Sequence, residues 1–268
     1  MKRAGHLFTQ LFTSNAFVEN GDCAKQVFVL MSGQKARDYT AVLQRVSDAL
    51  PDNPSVETII TDFEKAAWKS CRRVFPNITM RGCVFHLVQA VYRKVQELGL
   101  QVAYANDDST YILIRKLMAL PFLPTDCIRR NLRRLKDDAT PELRQLVDYF
   151  EDNWLASPVS TKDNWCVFKE AIRTNNDIEG WHNALNKHAH GKTNLPMYLL
   201  IQFLGEEAKL VSLQVRLVRA KKLRRVQRRK YLLLHSKIFS LWDDYENGDI
   251  NSRSLLEAVA KLYGPRVE

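Results

Sequence analysis

Apolar and polar positions alternate through residues 7–32. Leu7, Leu11, Phe12 and Phe17 carry the first apolar set, and Val27, Phe28, Val29 and Leu30 the second. Glu19-Asn20-Gly21-Asp22 lies between them, a turn sequence, so the stretch predicts a β-hairpin. The period then lengthens. Tyr39, Val42, Leu43, Val46 and Leu50 recur at helical spacing, which predicts a helix over 35–50 that Pro51 and Pro54 end. Val56–Asp62 is a short β-branched apolar run, read as a buried strand with Asp62 at its C-terminal edge. A helix over 63–74 and a short strand at 78–82 follow. Hairpin, helix, strand, helix, strand is an α/β order.

Past residue 83 the strand pattern stops. Helical periodicity covers 84–98, 109–120, 125–137 and 141–155, punctuated by Pro121, Pro124, Pro141 and Pro158. Residues 160–173 are expected to include a loop. Helices resume near 176, a long one opens at Asn194-Leu195-Pro196, and Asn247-Gly248 turns into a last short helix. The organisation expected is an α/β core over 1–83, a helical insertion over 84–173, a returning core helix over 174–193 and a helical, basic region over 194–268.

Charge changes the picture more than bulk composition does. In 268 residues, 40 Lys and Arg stand against 30 Asp and Glu, a formal charge of +10, which points to a polyanionic partner. The run Arg216–Lys230 concentrates it: Arg216, Arg219, Lys221, Lys222, Arg224, Arg225, Arg228, Arg229 and Lys230 are nine basic residues in fifteen, with no acid among them. Phosphate contact and nuclear targeting are its functional readings, against a solvated, self-repelling helix. Five widely spaced cysteines argue against a disulfide framework. No stretch has the apolar length of a membrane span, and nothing points to a small-molecule substrate.

Three local patterns could carry chemistry. Asp62 stands where open α/β sheets place ligands, beyond the carboxyl end of a strand, although an Asp there could also cap the next helix. Cys83-Val84-Phe85-His86 places two soft donors three residues apart. That could be half a zinc site, but His188 and His190 make a poor second half, and a structural or supporting role is the alternative. In Thr174–Asn186, an apolar stripe of Ile178, Trp181 and Leu185 leaves Glu179, His182, Asn183 and Asn186 on a second face. A lone Glu among amides and an imidazole suits an organised polar site; a solvated face is the other reading.

Taken in order, Leu7-Phe8-Thr9-Gln10-Leu11-Phe12, Val29–Gly33, Thr61-Asp62-Phe63-Glu64-Lys65-Ala66, Arg81–His86 and Thr174–Asn183 resemble the transposase domain of Mutator-like elements (MULE). The resemblance implies an RNase H-like α/β fold of the DDE transposase class, with a helical insertion ahead of the final Glu. It makes Asp62 the second catalytic Asp and Glu179 the final Glu, both metal ligands. Cys83 and His86 become the family's Cys-x-x-His pair, with His182 and Asn183 beside Glu179. It implies Mg²⁺ (or Mn²⁺), DNA as substrate and target, action in the nucleus, and work as a homo-oligomer. Two divalent ions held by such carboxylates carry out phosphodiester hydrolysis and strand transfer. The family's first Asp lies on a strand ahead of the Leu-Phe-x-Gln-Leu-Phe stretch. Only Met1–His6 precede Leu7, and none is a carboxylate. The expectation is therefore a core without its first strand and impaired catalysis. A non-catalytic DNA-binding or domesticated nuclear factor is the alternative.

Overall fold

A computed structural model describes residues 8, 10–18, 22–49, 56–157, 160–173, 187, 196–220 and 229–264. The chain divides into two compact units, and each draws on separated stretches of sequence.

The first unit comprises Met1–Ile59, Glu64–Ile78 and Asn175–Val226. Its hairpin pairs β1 (Gln10–Val18) with β2 (Asp22–Met31), antiparallel, with a register shift between Ala16 and Phe17. The predicted hairpin is there; its turn residues 19–21 lie outside the described residues. Alternation divides the hairpin's side chains between two faces. Phe12, Val29 and Met31 pack with Tyr39 and Val42 of α1 (Ala36–Asp48) and with Ala66 and Ala67 of α2 (Lys65–Val74). Leu11, Phe28 and Leu30 pack with Leu200, Phe203 and Leu204 of a long helix, Met197–Arg219, labelled α9 below. Both faces of a two-stranded ribbon are thus covered, which offsets the marginal stability of a lone hairpin.

The second unit comprises Ile60–Phe63, Thr79–Thr174 and Gln227–Glu268. It holds the end of β3 (Thr58–Thr61), paired in a separate two-stranded sheet with β4 (Thr79–Gly82). The rest is helical: α3 (Val84–Glu97), α4 (Gln101–Asn106), α5 (Asp108–Ala119), α6 (Thr125–Asp137), α7 (Pro141–Phe150) and α8 (Lys162–Trp165). The later pair is α10 (Arg229–Glu246) and α11 (Ser252–Leu262). The chain is therefore mixed α/β and predominantly helical, and its described strands form two small sheets.

Most boundaries follow the sequence. Asp107 caps α5 by accepting from the Thr110 N–H, and Thr140 caps α7 ahead of Pro141. Three details differ. The expected single helix over 141–155 ends at Phe150 and continues as a π turn, Glu151–Leu155, which turns Trp154 inward to 7% exposure. The stretch 160–173, expected to include a loop, also contains α8, whose Trp165 is fully buried. An additional short helix, α4, follows Gly99, which adopts φ +69°.

One core runs through the second unit. Trp165, Trp242, Tyr104, Phe122 and Phe150 are its largest buried side chains. Their polar atoms are satisfied: Trp242 Nε1 donates to the Phe122 carbonyl at 2.8 Å and Trp165 Nε1 to the Trp154 carbonyl at 3.0 Å. The C-terminal helices are stitched in by Arg115 Nε donating to the Ala260 carbonyl at 2.7 Å and by the Lys116–Glu257 pair at 3.0 Å. Burial pushes the Arg173 guanidinium down from its ordinary value. That guanidinium lies over the Phe122 and Trp242 rings, where their π faces compensate part of the lost hydration.

Candidate active site

Asp62 follows directly on the last residue of β3, at the strand's carboxyl edge, as the sequence predicts. The alternative, a helix cap, does not hold: α2 begins at Lys65 and its N-cap is Glu64. Asp62 keeps about half of its side chain exposed, at 54%. Its Oδ1 lies 3.0 Å from His86 Nδ1, an ion pair when the ring is protonated. The strand-edge carboxylate and the histidine of the Cys-x-x-His motif therefore meet, although 24 positions separate them.

Cys83 and His86 have different roles in this arrangement. Cys83 is not on the helix: it is the N-cap of α3 in extended conformation, with no exposed surface. Its N–H donates to the Thr61 carbonyl at 3.0 Å, tying the start of α3 to the end of β3. His86 lies in the first turn of α3, and the Val84 N–H donates to the Arg173 carbonyl at 3.2 Å. His188 and His190, the residues weighed as the second half of a zinc set, lie outside the described residues. Among the described residues, no group of three or more His, Cys, Asp or Glu could hold a metal ion.

The neighbours of Asp62 fix its backbone. Phe63 packs edge-on against Trp154, ring centroids 4.6 Å apart, and stands so close over Gly82 that a Cβ there would collide with the ring. Gly82 is therefore required by close approach. On β4, Arg81 pairs with Glu170 and donates to the Asp163 carbonyl at 2.9 Å. Asn164 Nδ2 donates to the Met80 carbonyl at 2.9 Å, so α8 holds the strand next to the Asp62 strand.

A second polar arrangement, in the first unit, is one that sequence reading misses. Gln34 Nε2 donates to Gln10 Oε1 at 2.9 Å, Gln10 Nε2 to the Tyr39 hydroxyl at 2.9 Å, and that hydroxyl to Glu64 Oε2 at 2.8 Å. The chain links Gln10 of the Leu-Phe-Thr-Gln-Leu-Phe stretch with Glu64 of Thr-Asp-Phe-Glu. The signal that could have pointed to it is Gln10, a polar residue in the mainly apolar stretch Leu-Phe-Thr-Gln-Leu-Phe.

Glu179, His182 and Asn183 lie outside the described residues, as do Lys221, Lys222, Arg224, Arg225 and Arg228. Arg216 is exposed near the end of α9; Arg219 closes that helix, and Arg229 and Lys230 open α10. No helix among the described residues is long and apolar enough to cross a membrane.

The described residues supply one hard oxygen donor, Asp62, with an imidazole against it. By themselves they do not make a two-metal centre. The family model of the MULE transposase domain matches residues 3–90. That match, about a third of the chain, contains Asp62, Cys83 and His86 and supports the MULE transposase family, and with it a transposase-related function. No curated protein and no solved structure matches the chain.

Proposed function

We propose that this chain acts on DNA as catalytic-region sequence of a MULE-type transposase, in the nucleus, on an RNase H-like core. The observation that carries the reading is the Asp62–His86 contact inside the MULE match. Two motif elements far apart in sequence converge on one exposed carboxylate. In the reading, Asp62 and Glu179 are the carboxylates for Mg²⁺ or Mn²⁺, hard cations that prefer oxygen donors. His86 is a positioning residue that holds one Asp62 oxygen and leaves the other to the ion. The bound ion would supply charge neutralisation and activate the attacking hydroxyl. The basic run Arg216–Lys230 is a phosphate contact, and the division into core, helical insertion and basic tail belongs to the same reading.

The test is Mn²⁺ binding by the full chain, followed by calorimetry. Asp62→Asn and Glu179→Gln should each remove binding, and His86→Ala should weaken it by about 10- to 100-fold, the usual effect of removing a ligand's supporting partner. Asp152→Asn, an exposed acid in the second unit, should change nothing. Unaltered Mn²⁺ affinity in Asp62→Asn would overturn the reading. In this reading Asp62 and Glu179 are the two carboxylates assigned to the ion, and Mg²⁺-dependent nicking of DNA by these 268 residues is expected to be weak. Robust nicking abolished by Asp62→Asn would refute that part alone. A second reading, a DNA-binding factor without catalysis, is favoured by the charge of +10, and it expects salt-sensitive DNA binding without any metal dependence.

A further inference from the structure

Helix α2, Lys65–Val74, has a rotation fixed by its buried side. Ala67, Trp68, Ser70 and Cys71 are buried, and Ser70 Oγ donates to the Ala36 carbonyl at 2.7 Å, which locks α2 against α1. At about 100° per residue, Lys65, Lys69, Arg72 and Arg73 then fall within one arc of about 100° on the opposite side. These four are the exposed residues of α2, and all are basic. The helix contains no acid. No ion pair among the described residues engages Lys65, Lys69 or Arg73. Arg72 lies over the Trp68 ring at 5.2 Å, which holds its guanidinium in place. Glu64, the acid before the helix, accepts from the Tyr39 hydroxyl.

We infer that this face of α2 is a nucleic-acid contact surface that grips the phosphate backbone. The inference rests on the transposase reading and extends it to residues that reading does not use. Lys65 to Arg73 spans about 12 Å along the helix at 1.5 Å per residue. That length passes about three phosphates of one strand, spaced 3.4 Å along the duplex axis. Protein partners are gripped by an apolar or aromatic centre with a polar rim, and this face has no exposed apolar residue to serve as one. A straight row of cations without an apolar anchor suits a phosphate backbone.

The experiment is anisotropy titration of a fluorescent 20-base-pair duplex with the full chain across a salt series. The variant is Lys65→Gln/Lys69→Gln/Arg73→Gln. Its slope of log affinity against log salt should be shallower by about three, at roughly 0.9 for each phosphate left without its cation. Lys65→Arg/Lys69→Arg should keep the original slope. Circular dichroism and melting temperature of the triple variant should match the unmodified chain, because all three side chains are exposed. A folded triple variant with an unchanged slope overturns the inference. Polyglutamate displacing the duplex through these same residues would replace DNA with an acidic protein, and overturn it too. Absence of any salt-dependent DNA binding by the unmodified chain overturns both this inference and the transposase reading. An unchanged slope alone, with Mn²⁺ binding still dependent on Asp62, removes only the α2 surface.

Discussion

At the scale of single residues, Gly82 and the buried thiols make the sharpest tests. Gly82→Ala forces a methyl into the Phe63 ring, and Phe63 is already wedged on Trp154. The substitution should cost about 1–3 kcal/mol, as overpacking does, read from chemical denaturation. It should also disturb Asp62, the residue before Phe63, and so weaken Mn²⁺ binding if the proposed site is correct. Burial pushes the Cys71 and Cys166 thiols up from 9.0 to about 11. Protonated, enclosed thiols are poor nucleophiles, so both should resist alkylation in the native protein at pH 8 and react on unfolding. The folded value lies above the unfolded one. Their contribution to stability is therefore complete below pH 9 and declines as pH rises through 11. A denaturation midpoint that rose with pH across that window would contradict this.

At the scale of elements, the legible part of the fold is the part set by local periodicity. α6 is bounded in sequence by Pro124 and the polar residues ahead of Pro141, and it forms over Thr125–Asp137. α7 begins where Thr140-Pro141 supplies a cap and a proline at the first helical position. The π turn after α7 was not legible, because it is imposed by the inward rotation of Trp154 against Phe63 and not by any residue within it. α8 is one turn long, too short for periodicity to reveal, and is held by Trp165 entering the core. α10 depends on one anchor in particular. Trp242 is fully buried, contacts Phe168 and Phe239, and donates to the Phe122 carbonyl. Trp242→Ala should destabilise the second unit by about 3–5 kcal/mol, measured as a shift in its denaturation midpoint. Trp242→Phe should cost less, since it retains the packing and forfeits mainly the hydrogen bond.

At the scale of the whole molecule, charge is the property that the proposed function turns on. If the run Arg216–Lys230 contacts phosphates, neutralising Arg224, Arg225, Arg228 and Arg229 to Gln should flatten the salt dependence of DNA affinity by about three to four. The effect should be additive with that of the α2 variant if the two surfaces contact separate phosphates. Unchanged salt dependence in this variant would assign the run to targeting or to solvent. The nine basic residues are conspicuous in sequence because they are closely clustered. The α2 row is not, because Lys65, Lys69, Arg72 and Arg73 are interleaved with Ala, Trp, Ser and Cys, and only the buried side of the helix reveals that they share a face.

The sequence by itself determined the hairpin, the strand leading into Asp62, the helical middle of the chain and the family motifs. Each is written in residues near one another, through alternation, capping and proline placement. Tertiary structure decided what meets what. It took Asp62 out of a capping role and put it against His86. It made Cys83 a buried N-cap tied to Thr61, and joined Gln10 through Tyr39 to Glu64. It divided the chain into two units that each collect separated segments. Those pairings depend on which apolar faces bury each other, a property of the packed chain that local periodicity does not encode.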